Sequence, residues 1–183
     1  MKRILAFCLA MVMALGLMTS LAEAQLIGVD PRPPRPVANT VLSFDTMVGV
    51  NGPFLGAANP IRGVNGGGLP WVFNSVSGKL LSNGRLTLTV NGLIIPASAG
   101  VGFNPAAFFR VLVSCITLNA NGLPVERRLI TGPNPAVMVG DPRNGDAVFN
   151  TRLNLPNPCI APIIFITSPT GSWFAVTGSG VIP

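Results

Sequence analysis

The chain has 183 residues and is basic, with 12 Lys and Arg against 6 Asp and Glu, yet only 10% of its residues are charged where about 25% is usual. It holds no histidine and no tyrosine. That excludes Ser-His-Asp and Cys-His nucleophilic centres, histidine metal sites and the commonest general base.

Lys2 and Arg3 open the chain, an apolar run follows from Ile4 to Met18, and Ala22-Glu23-Ala24 places small residues where a signal peptidase seats them. Residues 1–24 are therefore expected to be a secretory signal peptide, cut between Ala24 and Gln25. As a helix the run would reach about 22 Å, short of a hydrocarbon core of about 30 Å. No transmembrane segment is expected after processing. The product is expected to be secreted, periplasmic or held at the cell surface. In such an oxidising compartment the two remaining cysteines, Cys115 and Cys159, form one disulfide.

Residues 25–40 read as a Pro-rich linker, since Asp30-Pro31-Arg32-Pro33-Pro34-Arg35-Pro36 favours an extended polyproline II path. The domain is expected over 41–183. There, short runs of Val, Ile, Leu, Phe and Thr are broken by Asn-Gly at 51–52, 65–66, 83–84, 91–92, 121–122 and 144–145. Asn-Gly supplies the positive φ of a tight hairpin turn. Asn-Pro, at 59–60, 104–105, 134–135 and 157–158, starts turns and blocks helices.

The strands expected are 41–50, 70–77, 85–95, 108–118, 125–131, 146–155, 161–168 and 172–178. Leu86, Leu88 and Val90 alternate with Arg85, Thr87, Thr89 and Asn91; Ala147, Phe149, Leu153 and Leu155 alternate with Asp146, Asn150, Arg152 and Asn154. Period-two patterning gives one wet and one buried face. Phe109, Val111, Val113 and Cys115 share the more apolar side of their strand, which suggests that the disulfide staples one sheet to the other. Ile163-Ile164-Phe165-Ile166 is apolar on both faces, as in a central strand. The fold class expected is all-β, a single antiparallel β-sandwich of about eight strands with one disulfide. A transmembrane barrel is disfavoured, because several runs fall short of the 9–11 residues a span needs and the tyrosines of an aromatic girdle are missing.

Chemistry-bearing constellations are few. The Gly-rich stretch 62–68 lacks the Gly-Lys-Ser/Thr ending of a phosphate loop, and it reads as a flexible surface loop. Asp141, Asn144 and Asp146 lie close enough in sequence to suggest calcium, but Arg143 interrupts the pattern and a hairpin turn explains the segment. Past the cleavage point the carboxylates are Asp30, Asp45, Glu126, Asp141 and Asp146, none in a catalytic motif. Lys79, in Ser77-Gly78-Lys79, lacks Ser-x-x-Lys spacing. No cofactor and no metal is expected. Trp71 and Trp173 are the candidate ligand-stacking residues: exposed, they would stack on sugar rings; their apolar neighbours favour burial instead. The arginines are scattered from Arg32 to Arg152 with only Arg127 and Arg128 adjacent, so no nucleic-acid partner is expected.

The stretches RGVNGGGLPW (62–71), GKLLSNGRLTLTVNGLIIP (78–96), VLVSC (111–115) and APIIFITSPTGSWFAVTG (161–178) resemble uncharacterised exported bacterial proteins built on a small β-domain. The resemblance implies export and a single domain, and it lends no functional residues. The function expected is that of a non-enzymatic envelope or extracellular interaction or structural protein, its partner a cell-surface polymer or another envelope protein. The alternatives are a carbohydrate-binding module and, more weakly, a carboxylate-based hydrolase.

Overall fold

The structure, a computed structural model, describes residues 37–178 apart from Val139 and Pro142. The signal peptide with its Ala24–Gln25 junction, and the linker up to Pro36, lie outside the described residues. Among the described residues ten strands form: β1 (Thr40–Phe44), β2 (Val48–Gly49), β3 (Ser75–Leu81), β4 (Arg85–Asn91), β5 (Phe108–Leu118), β6 (Pro124–Ile130), β7 (Asn134–Pro135), β8 (Ala147–Arg152), β9 (Ile160–Thr167) and β10 (Trp173–Val176). They make two antiparallel sheets, a four-stranded one ordered β1-β3-β4-β8 and a larger one ordered β2-β10-β9-β5-β6, with β7 also on β5. This is the all-β sandwich that the period-two patterning predicts.

The alternation is realised as expected. Leu86, Leu88 and Val90 on β4 and Phe149 on β8 are buried, and they join Phe109, Val111, Val113, Ile164 and Ile166 of the larger sheet in one hydrophobic core. Each such side chain contributes about 1.5–3 kcal/mol by leaving water. β9 lies between β5 and β10, and Ile164, Phe165 and Ile166 are all fully buried. A strand apolar on both faces must be covered on both.

Three expectations need correction. Of the stretch 70–77 only Ser75–Ser77 is strand: Trp71 and Val72 make isolated backbone links, and β3 starts at Ser75 and runs on to Leu81. Gly78 interrupts nothing, because the Phe44 ring lies over it; a Cβ built there would stand 2.3 Å from that ring. The run 41–50 is two pieces, β1 and β2, one in each sheet. The Cys115–Cys159 disulfide, Cα–Cα 5.0 Å, joins neighbouring strands of one sheet and not the two sheets. Cys159 immediately precedes β9, and the bond spans the place where the β5–β9 register shifts between Ser114 and Ile116.

Of the six Asn-Gly pairs, five put glycine at positive φ. Gly84 (φ 81) turns β3 into β4, and its missing Cβ lets Leu153 approach: a Cβ would stand 1.8 Å from the Leu153 carbonyl oxygen. Asn65-Gly66 is the exception. Gly66 makes a parallel bridge to Trp173, and a Cβ there would meet the Phe54 carbonyl oxygen at 1.9 Å. This glycine serves close approach and not a turn.

Candidate functional site

The two sheets differ in what lies on their second faces. On β5 the fully buried Phe109, Val111, Val113 and Cys115 face one way, while Arg110, Leu112 and Ser114 face the other. The segment 51–67 lies against that second face. Phe54 packs on Trp173 with ring centroids 6.3 Å apart, and Trp173 on Phe165 at 6.4 Å. The Trp173 backbone is held at both polar groups, its N–H donating to Asn65 and its carbonyl accepting from Gly67.

At the tip of this segment Ile61-Arg62-Gly63-Val64 closes a hairpin through reciprocal bonds of 3.1 and 2.9 Å between Ile61 and Val64. Arg62 (φ 45) and Gly63 (φ 64) are both left-handed, as a type I′ turn requires. Arginine is uncommon at positive φ. Its side chain supplies the reason. One guanidinium nitrogen donates to the Ser114 carbonyl (3.2 Å) and hydroxyl (3.1 Å), and the other to the Ala161 carbonyl (2.7 Å). Ser114 Oγ, fully buried, donates to Glu126 at 2.8 Å, and Arg128 closes the circuit with two bonds to the Glu126 carboxylate (3.0 and 3.1 Å) and one to the Arg62 carbonyl. The Arg128 hydrogen bond, with help from Ser114, holds the Glu126 carboxyl below its ordinary value. The Gly-rich stretch is thus a clamp and not a loose surface loop. Its sequence signal, a lone arginine beside glycine, is indistinguishable from that of an ordinary turn.

The candidate ligand-stacking role of Trp71 and Trp173 is corrected by burial: they are 4% and 1% exposed. Trp71 stacks on Phe174 at 3.8 Å and meets Phe109 edge-on at 6.1 Å. Neither offers a face to a sugar ring. Trp173 Nε1, Thr167 Oγ1 and Arg110 Nε are buried without a partner among the described residues, and the three belong to one cross-strand row. The row is a polar seam in an apolar layer, where each such group costs about 1–3 kcal/mol.

The calcium-like loop is built for another purpose. Asp141 accepts three bonds from Arg143 (2.8, 2.9 and 3.1 Å), which together hold its carboxyl down at about 2. Asn144 Oδ1 caps the backbone of the fully buried Asn104 (3.1 Å), and Asp146 Oδ1 accepts from Gly92 N–H at 2.8 Å. The three residues are engaged with three different partners and do not converge. Of the described carboxylates, Glu126 and Asp141 are each tied to an arginine.

Two of the surface clefts among the described residues bear on the site. One, about 480 Å³, is lined by Asn51, Pro70, Trp71, Val72, Phe73 and Ser98, with no ionisable side chain in its wall. The other, about 400 Å³, lies where β4 ends and β8 begins, between Asn91, Asn134, Arg143, Asp146 and Val148.

The second face of the four-stranded sheet carries no covering segment among the described residues. Ser43, Ser75, Ser77, Lys79, Arg85, Thr87, Asn150 and Arg152 are exposed there, and Thr89 and Asn91 are half-buried. Val148, 63% exposed, is its one exposed large apolar side chain, and Leu81 at the end of β3 is half-buried there. No helix of the described residues is long and apolar enough to cross a membrane. Comparison with protein-family models, with curated proteins and with solved structures finds no match.

Proposed function

We propose that this chain is an exported, non-enzymatic interaction protein of the cell envelope or extracellular space. The observation that carries the reading is the bare second face of the four-stranded sheet, which is largely polar, has Val148 as its one exposed large apolar side chain, and is backed by the buried core. A sheet face of that kind is a preorganised surface on which a partner docks without ordering the protein first. The chain's lack of histidine and the arginine-tied carboxylates Glu126 and Asp141 leave little for proton transfer. The leader-like first 24 residues and the disulfide together favour an oxidising destination outside the cytoplasm.

The test is expression of the full chain in a bacterial host, followed by fractionation and intact-mass measurement without reductant. The outcome expected is an oxidised monomer starting at Gln25, recovered outside the cytoplasm and retained on envelope material. A reduced chain kept in the cytoplasm with Met1 intact would overturn the reading, as would a purified product that hydrolyses glycans with turnover.

A further inference from the structure

The partner's chemistry can be read from how charge is laid out on that bare face. Strand register places Ser43, Lys79, Thr87 and Asn150 in one row across the four strands. The next row holds Ser77, Thr89 and Val148, and beyond it Ser75 stands beside Asn91, bonded to it at 2.8 Å. In the other direction Arg85 stands directly opposite Arg152. Side chains so paired have Cβ atoms about 4.5–5.5 Å apart, and like charges there destabilise a sheet. Lys79 pairs with Thr87, two residues from Arg85, and so adds a third cation on the diagonal, within about 8 Å at the Cβ level.

The carboxylates nearest the face are at its margins. Asp45 follows β1 at the far edge, and Asp146 precedes β8 at the opposite end, spoken for by Gly92 N–H. Among the described residues the ion pairs are Arg128–Glu126 and Arg143–Asp141, and neither uses a cation of these rows. The domain thus keeps an unfavourable like-charge pair that a Thr or Asn would remove. An anion lying between the two guanidinium groups relieves it.

We infer that this face binds a carboxylated polysaccharide laid along β4 and β8. Arg85, Arg152 and Lys79 take its carboxylates; Thr87, Thr89, Asn150 and Asn91 take its hydroxyls; the cleft beside Asn134 and Arg143 receives its far end. Arginine suits carboxylates because its planar fork donates two parallel bonds. The seven residues of β4 offer a track of about 20 Å. Hydroxyl and amide rows match the alternating donors and acceptors of a sugar chain. Among the described residues the face carries no aromatic side chain on which a nucleic-acid base could stack, and one exposed valine gives little to insert into a lipid surface. The inference rests on the interaction-protein reading and adds the ligand class and the residues.

The experiment uses the full chain as secreted and oxidised, with polygalacturonate as probe and neutral dextran, phosphatidylglycerol vesicles and duplex DNA as comparison arms. Polygalacturonate is expected to bind, dextran is not, and the binding is expected to vanish at about 1 M salt, where charges are screened beyond about 3 Å. The double variant Arg85→Gln/Arg152→Gln should weaken binding about tenfold or more, since a hydrogen bond to a charged group is worth roughly a factor of ten. Arg127→Gln, an exposed arginine on β6, should change nothing. Preferential binding to vesicles or DNA, or polygalacturonate binding that ignores Arg85→Gln/Arg152→Gln, would overturn the inference. Salt dependence on the unmodified chain keeps the test alive should the double variant misfold. Retention of the protein on producing cells, lost in the double variant, without polygalacturonate binding would sink the ligand class and leave the interaction reading standing. Absence of both kinds of binding would sink both.

Discussion

The second face of the larger sheet and the second face of the smaller one are built from the same strand grammar and end in opposite conditions. On the larger sheet, segment 51–67 brings Phe54 onto Trp173 and locks Arg62 into Ser114 and Ala161, so that β5 and β9 are buried on both sides. On the smaller sheet, Lys79, Arg85, Thr87, Asn150 and Arg152 stand exposed. One face serves the fold's own stability and the other is left for recognition. Because the first is sealed by its own chain, the second can carry a like-charge pair that a marginal domain would tolerate badly.

That contrast can be broken or sharpened by substitution, from the largest effect down. Phe165→Ala, on the covered face, should cost about 3–5 kcal/mol, because it removes a fully buried ring between β5 and β10; urea unfolding of the purified chain measures it, and a cost under about 1 kcal/mol would mean that the face is not sealed. Replacing both cysteines by serine should cost about 2–4 kcal/mol for a loop closed over 44 residues, read from the same curves. Arg62→Ala should cost about 1–3 kcal/mol, since it strips hydrogen bonds from the Ser114 and Ala161 carbonyls and loosens the cover. At the small end, Val148→Ala on the bare face should stay within about 0.5 kcal/mol.

The same comparison has a pH signature. Glu126 sits under the edge of the cover, and its carboxyl is lowered chiefly by the Arg128 hydrogen bond. A carboxyl lowered in the folded state adds stability above its unfolded value, about 4.3, and that stability disappears as pH falls through the folded value. Melting temperature should therefore drop below about pH 4. In Glu126→Gln and in Arg128→Gln alike the drop should be shallower, because each removes the difference between the folded and unfolded carboxyl that produces it. Asp141, held down at about 2 by Arg143 on the exposed loop, titrates in the same sense with little effect on melting, because solvent screens an exposed pair.

The sequence carried the fold's outline better than its closures. Strict alternation at 85–91 and the doubly apolar run at 163–166 report local geometry, which a period of two encodes directly, and both were legible. Patterning places β3 several residues too early, at 70–77, because the Phe44 ring that makes Gly78 an asset within the strand comes from β1 in tertiary space. The disulfide pairing followed from cysteine count, but its position between adjacent strands depends on strand order, which patterning does not encode. Burial of both tryptophans agreed with their apolar neighbours. The Arg62 clamp was invisible, since its partners Ser114, Glu126 and Ala161 lie far along the chain. The cation cluster was hidden for the same reason: Arg85 and Arg152 are brought together only by the β4–β8 register.

Hydroxyl-radical footprinting of the folded, oxidised chain tests the asymmetry of the two faces most directly. Tryptophan and phenylalanine are intrinsically far more reactive toward the radical than valine, so protection of the aromatics is a stringent outcome. Trp173 and Phe165 should remain unmodified while Val148 is oxidised. Oxidation of Trp173 in the native state, at a rate matching that in urea, would mean that segment 51–67 does not cover the larger sheet and would contradict the account.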